Sequence, residues 1–286
     1  MKILITGCGM LGYDLCRVLD GHEIYGLDIA KPNFEVGNFT LCDITDFEKT
    51  YRTITKINPE IVIHTAAWTD VDGAEKNPGD AYRLNVIGTR NVALSCQRFD
   101  ASMIYISSDY VFDGEKKEPY IEFDKANPLS VYGKSKYYGE IIVQQLVNKF
   151  FIVRSSWLYG VNGKNFVKTI LNLAKEKKEL KIVNDQAGCP TYTKDLAAAI
   201  KVLLSTGLYG IYHITNSDTC SWYDFAKQII KLSGSSCKVL PTTSEKLNRP
   251  AKRPKNSVLK NFMWELNGFK PLENWRPALK NYLEEI

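Results

Sequence analysis

Three side chains in the middle of the chain have the types and spacing to protonate a carbonyl oxygen. Tyr132 and Lys136 stand four residues apart in PLSVYGKSKYYGE, a spacing that puts phenol and ammonium on one face of a helix. A fixed ammonium beside a phenol favours the phenolate and draws the tyrosine pKa down toward the range of a working acid/base catalyst. Ser108, just past the apolar run Met103 to Ile106, would bring a hydroxyl to the same oxygen. Alone, Y-x-x-x-K equally describes a surface tyrosine and a solvated lysine, so the surrounding elements decide.

Those elements read as strands alternating with helices. Lys2 to Thr6 is a short β-rich run, followed by Gly7-Cys8-Gly9-Met10-Leu11-Gly12 and an amphipathic helix to about Leu19. G-x-G-x-x-G between strand and helix is a dinucleotide-binding pattern. Gly7 permits the tight turn, Gly9 lets a pyrophosphate approach the backbone, and Gly12 allows close helix packing. The helix N-terminus then offers N–H groups and partial positive charge to phosphates. Glu23 to Leu27 is a second strand ending at Asp28, the distance at which a ribose-binding acid is expected.

Asp43 and Ile44 follow a weak third strand, where a loop would border an adenine, although Asp43 could equally cap a turn; Asp46 is placed to N-cap a helix. Ile61 to His64 is a buried strand, and Ala66 and Ala67 behind it are small enough for a cofactor to lie on the backbone or simply for tight packing. Asp80 to Arg98 reads as one helix containing Asn85, a polar residue that can bend it. Met103 to Ser107 and Phe151 to Ser155 are further strands, completing a βαβαβ pattern that predicts a parallel sheet with helices on both faces. Gly7, Asp28, Ala66, Ser108 and Trp157 all fall at strand carboxyl ends, where such a sheet opens its ligand crevice.

Beyond Tyr159 the alternation weakens. Helices are expected over Phe166 to Lys177, Asp195 to Leu204 and from a Ser221 cap to about Leu232, with a strand from Leu180 to Val183. Gly210 to Ile214 could return to the sheet, and the proline-bearing tail from Lys238 reads as loop-rich. The fold class expected is therefore α/β, a Rossmann-type doubly wound parallel sheet with a smaller interleaved C-terminal substrate subdomain. Residues 1–157 plus about 195–216 would bind the dinucleotide, and 158–194 plus about 217–286 the substrate.

Composition excludes several classes. With 286 residues and a formal charge of +5, the chain is long enough for a substantial core and only mildly basic. No apolar run approaches the ~20 residues of a membrane span, and the N-terminus reads as strand and turn rather than an export signal. The seven cysteines lack C-x-x-C spacing and the three histidines are far apart, so reduced thiols, a cytoplasmic location and no metal site are expected. The basic stretch Arg249 to Lys255 could meet an anionic ligand or be a plain loop, and without interleaved aromatics it does not read as a nucleic-acid surface.

The motifs together carry a resemblance. ILITG, DITD, HTAAWTDVDGAE, LNVIGTRNVA, SSDYVFDG, PLSVYGKSKYYGE, RSSWLYG, NDQAGCPTYTKDLA and RPKNSVL run nearly end to end. In them the chain resembles the extended short-chain dehydrogenase/reductase superfamily and, within it, the dTDP-4-dehydrorhamnose reductases. The resemblance implies NAD(P)H-dependent reduction of the C4 keto group of dTDP-4-dehydro-β-L-rhamnose, a step of nucleotide-sugar and cell-surface polysaccharide biosynthesis.

Tyr132 would then be the proton donor, Lys136 the partner of the nicotinamide ribose and of Tyr132, and Ser108 the carbonyl-binding hydroxyl. Gly7, Gly9, Met10, Leu11, Gly12, Asp28, Asp43, Ile44, Ala66 and Ala67 would contact the dinucleotide. Thr69, Val71, Tyr110 and Trp157 would lie on the substrate side, Trp157 being as readily a core residue at a domain junction. The first glycine spacing is one residue shorter than the family's usual G-x-x-G-x-x-G, and Ser108 stands where most relatives have threonine. Asp28 favours NADH over NADPH by excluding a 2′-phosphate, with Lys31 near enough to soften the exclusion. A homodimer is left open. Two other readings share the motifs: another nucleotide-sugar reductase or epimerase, and a non-catalytic partner-binding subunit resembling the β subunit of methionine adenosyltransferase.

Overall fold

The structure is a computed structural model and describes residues 1–286. Seven strands form one parallel sheet: β1 (Lys2–Thr6), β2 (Glu23–Asp28), β3 (Asn38–Leu41), β4 (Ile61–His64), β5 (Ser102–Ser108), β6 (Phe150–Ser155) and β7 (Gly210–His213). Their spatial order is β7-β6-β5-β4-β1-β2-β3. The chain thus winds one way from β1 to β3 and the other way from β4 outward, leaving a crevice where the order reverses, between β1 and β4.

The two-residue period of the strands sorts the core onto both faces. Ile3 and Ile5 of β1 and Ile104 and Ile106 of β5 pack on one side with Leu11 and Leu15 of α1 (Met10–Val18). Leu4, Met103 and Tyr105 pack on the other with Ile54 of α2 (Phe47–Ile57). Helices α3 (Val71–Lys76), α4 (Pro78–Tyr82), α5 (Thr89–Phe99) and α6 (Val131–Leu146) follow, α5 and α6 lending Val92 and Val143 to that second core. Asp46 caps α2 by accepting a hydrogen bond from Lys49 N.

The helix expected over Asp80 to Arg98 starts earlier and is broken. α4 and α5 are joined by a π-helical turn, Arg83–Gly88. The cause is Asn85, whose side chain leaves the helix surface to accept from Trp68 N at 2.7 Å and donate to Ser135 Oγ at 2.8 Å. A widened turn admits that reach without unpairing the rest.

The C-terminal half interleaves with the sheet. α7 (Phe166–Glu176) precedes a strand Glu179–Val183, whereas α8 (Thr193–Leu203) and β7 return to the main sheet. α9 (Trp222–Ser233) begins at a Ser221 cap that forms a full capping box with Asp224. The tail is more regular than its prolines suggest. Lys238–Thr242 pairs in parallel with Glu179–Val183, and short helices α10 (Ser244–Leu247) and α11 (Phe262–Leu266) lead to α12 (Trp275–Glu285). α12 buries Trp275, Ala278, Leu279 and Tyr282 in a third core with Phe225 and Ile229. Those positions repeat at helical spacing, and that apolar stripe outweighs the local proline signal.

Candidate active site

The first strand end is a cradle for an anion. Gly7 has φ +85°, and a Cβ built there would lie 2.4 Å from Ala66 N, so only glycine lets the turn press against the end of β4. A Cβ on Gly12 would meet Gly7 O at 2.7 Å. Gly9 faces open space and is the N-cap of α1, which has no side-chain cap. The first N–H groups of α1 therefore point with the helix dipole into that space. Asp28, half-buried at the end of β2, accepts from Cys8 N at 2.7 Å and Ile29 N at 2.6 Å. A carboxylate has about four acceptor sites, so this one is oriented while keeping capacity for a ribose diol. An open glycine, free helix N–H groups and an oriented acid form a donor set that fits a dinucleotide.

The remaining dinucleotide-side residues divide. Ala66 and Ala67 are half-buried at the end of β4, where Ala66 N donates to Thr6 O at 2.8 Å. Met10 is half-buried beside Gly160, and Leu11 is in the core, leaving only its backbone for a ligand. Ile44 is also buried, its carbonyl accepting from Asn91 Nδ2 at 2.8 Å. Asp43 is exposed and accepts from Thr45 N at 2.8 Å, the turn-capping alternative.

Ser108 ends β5 and opens a single turn of 3₁₀ helix, Asp109–Val111. Its Oγ accepts from Tyr110 N at 3.1 Å and donates to Asp109 Oδ1 at 2.9 Å. Tyr132 stands in the first turn of α6, which Ser130 caps by accepting from Gly133 N. A Cβ on Gly133 would fall 2.2 Å from Tyr110 O, so this glycine allows α6 to start directly against the turn that carries Ser108. The Tyr110 ring meets the Tyr132 ring edge-on at 5.8 Å.

Lys136 and Tyr132 share the expected face, but the expected electrostatics are corrected. Burial pushes the Tyr132 phenol up to about 12, Asp109 adding to the rise and Ser108 offsetting part of it. Burial likewise pulls Lys136 down to about 7, with Glu140 opposing. The lysine is not what sets the phenol: its Nζ lies 4.2 Å over the Tyr105 ring, one turn deeper along the helix. Desolvation of both groups outweighs their mutual field.

Glu140 and Arg154, absent from the sequence-based site, hold this helix in place. Arg154 of β6 donates to Glu140 through Nε at 2.9 Å and Nη2 at 2.7 Å, and Ser107 Oγ donates to the same carboxylate. One buried side chain of α6 thus ties the helix to two strands, next to Ser108. A single glutamate in GKSKYYGE gives no sign of this, because its partner lies fourteen residues on in another element.

Beyond Tyr110, whose ring meets that of Tyr132, lies a cavity of about 940 Å³ whose walls include Tyr110, Phe166, Lys181, Trp222, Arg249 and Arg253 but not Ser108, Tyr132 or Lys136. Of the residues expected on the substrate side only Tyr110 lines it; Thr69, Val71, Ser108 and Trp157 do not. Thr69 is exposed and Val71 half-buried at the start of α3. Trp157 holds φ +48° and stacks on Trp222 at 3.5 Å, so the structure gives it a packing partner.

Asp72, also missed, gathers the basic segment: Arg253 grips both of its oxygens at 3.0 and 2.9 Å, and Arg249 adds a contact at 3.1 Å. Burial pushes the Asp72 carboxyl up, but hydrogen bonds from Arg253 and Ala251 N prevail and hold it at about 2. The legible signal was only the clustered charge of RPAKRPK.

A glycine cradle at the switch point of a doubly wound sheet, with serine, tyrosine and lysine at the next strand end, defines the short-chain dehydrogenase/reductase class. The family model described as RmlD substrate binding domain matches residues 1–286, and the chain belongs to that family. Among its relatives, the spore coat polysaccharide biosynthesis protein SpsK of Bacillus subtilis (strain 168) is 42% identical over 287 residues, covering 99% of this chain and 97% of that protein. A solved dTDP-4-dehydrorhamnose reductase from Clostridium acetobutylicum ATCC 824 superposes with a TM-score of 0.94 at 44% identity, covering 99% of each chain. Another from Bacillus anthracis str. Ames, in complex with NADP, gives 0.94 at 43% identity over 100% of this chain and 99% of that one.

Proposed function

We propose that this chain reduces the C4 keto group of dTDP-4-dehydro-β-L-rhamnose to give dTDP-L-rhamnose, using NADPH or NADH. The observation that carries the reading is the end-to-end likeness to solved dTDP-4-dehydrorhamnose reductases, joined to a site whose serine, tyrosine and lysine fit carbonyl reduction.

When bound, the reduced dinucleotide supplies the hydride. Gly7, Gly9, Gly12 and the N-terminus of α1 hold its pyrophosphate, Asp28 a ribose and Lys136 the nicotinamide ribose. Tyr132 donates its phenolic proton to the C4 oxygen, so that ketone, hydride and proton together give the alcohol. A phenol held at about 12 is protonated at neutral pH, the form a donor requires. Ser108 hydrogen-bonds the same oxygen, and Tyr110 with Arg253 borders the sugar-nucleotide chamber. Residues 1–157 with about 195–216 carry the dinucleotide, and 158–194 with about 217–286 carry the sugar nucleotide. Hydrogen-exchange protection by each ligand in turn checks that division.

No helix is long and apolar enough to cross a membrane. Seven unpaired thiols support a cytoplasmic setting, and light scattering decides whether the chain is a homodimer. The activity test follows loss of reduced-nicotinamide absorbance with enzymatically prepared dTDP-4-dehydrorhamnose, beside a UDP-4-keto sugar. Oxidation with the first, lost in Tyr132→Phe, is the expected result. No oxidation with either sugar, by folded protein that binds dinucleotide, overturns the reading.

A further inference from the structure

The hydrogen-bond arithmetic at Ser108 leaves its catalytic proton engaged. A hydroxyl has one proton to give and two lone pairs to accept with. Ser108 Oγ gives its proton to Asp109 Oδ1 at 2.9 Å and takes one from Tyr110 N at 3.1 Å. In this arrangement it can accept a third contact but cannot donate to a substrate oxygen. Asp109 is 2% exposed, and its second oxygen, Oδ2, has no hydrogen-bond partner. No lysine or arginine pairs with it; Arg154 and Arg253 are committed to Glu140 and Asp72.

We propose that Asp109 is a positioning residue whose protonation decides where the Ser108 hydroxyl points. Ionised, it holds the Ser108 proton away from the substrate. Neutral, it donates its own proton to Ser108 Oγ; with Tyr110 N this fills both lone pairs and releases the hydroxyl proton toward the keto oxygen. No bond other than hydrogen bonds changes, and Asp109 does not touch the substrate. The inference rests on the reductase reading and adds to it a control over the site.

The surroundings favour the neutral form. Burial pushes the Asp109 carboxyl up to about 7, with the nearby Ser257 and Ser108 hydroxyls opposing the rise. The titratable groups that act on it are Tyr110 beside it, Tyr132 from α6 and Cys189 from the segment before α8. None of them brings a positive charge to the carboxylate. An unpaired carboxylate oxygen in such a place is expensive, and a proton removes the expense.

Two measurements test this. In the full-length protein with ¹³C-labelled aspartate carboxyls, the resonance missing from Asp109→Asn should titrate with a midpoint near 7. An amide at this position can always donate to Ser108, so the kcat ratio of Asp109→Asn to parent should climb about tenfold or more between about pH 6 and pH 8.5. Any titration of Lys136 common to both proteins cancels in that ratio. In a Ser108→Ala background the ratio should be flat. An Asp109 resonance that titrates below about pH 5 overturns the proposal, as does a ratio that is flat with Ser108 present; a merely structural aspartate gives the latter. If the parent turns over no keto sugar, the reductase reading fails, whereas the carboxyl titration still reports on Asp109.

Discussion

Removing the Glu140 carboxylate should cost more stability than any surface change in this chain. The side chains of Arg154 and Glu140 are 4% and 0% exposed, and the guanidinium grips both carboxylate oxygens. Arg154 Nη1 already lacks a hydrogen-bond partner, and Glu122, the other carboxylate that Arg154 acts on, forms no ion pair with it. In Glu140→Ala a buried cation is left alone and Ser107 loses its acceptor, a loss of about 3–5 kcal/mol from a total of roughly 5–15 kcal/mol.

Replacing both partners, as in Glu140→Leu with Arg154→Met, removes the desolvated charges together and should recover most of that loss. Urea unfolding followed by tryptophan fluorescence measures both variants. A loss below about 1 kcal/mol for Glu140→Ala would place the pair in the range of solvated surface bridges and refute its role as the buried tie between α6 and the sheet. The same substitution removes the one group that holds the Lys136 pKa up. Lys136 should therefore lose its proton at lower pH in Glu140→Gln, as read from its ¹⁵Nζ or ¹³Cε resonance.

Tyr132→Phe should lower kcat by about 10²–10⁴-fold with dinucleotide affinity retained; unchanged turnover in the absorbance assay removes it from the proton-transfer step. Gly133→Ala puts a methyl 2.2 Å from the Tyr110 carbonyl, so α6 must shift. Melting temperature and kcat should both fall, whereas an unaltered kcat would show that the start of α6 does not position Tyr132. Asp28→Ala should raise the NADPH-to-NADH preference in kcat/KM, and a constant ratio would mean that the acid does not read the ribose. Asp72, held at about 2, contributes stability that is complete above its unfolded pKa of about 4 and is lost as pH falls through about 2. Asp72→Asn should therefore lose less stability than the parent over that window, as equilibrium unfolding at each pH will show.

Local rules were enough for much of this molecule. Strands with alternating or continuous apolar residues, the glycine turn before α1, the caps at Asp46 and Ser221, and the Tyr132–Lys136 spacing depend on neighbours within a few residues, which is why they could be read directly. The doubly wound parallel class followed from the same pattern, because parallel strands with helical crossovers have few ways to wind, whereas the order of the strands is known only from the fold. What folding alone decided is held by partners far apart in the chain. Asn85 opens a π-helical turn because Trp68 and Ser135 lie beside it, and α12 forms despite the prolines because its stripe finds Phe225.

The site's electrostatics belong to this second kind. Spacing puts Tyr132 near Lys136, but burial sets both pKa values, and burial is a property of the packed chain. Asp72 with Arg253, and Glu140 with Arg154, look in sequence like ordinary surface charges. They become structural when folding brings them together out of water, where an unpaired charge costs far more than a solvated one.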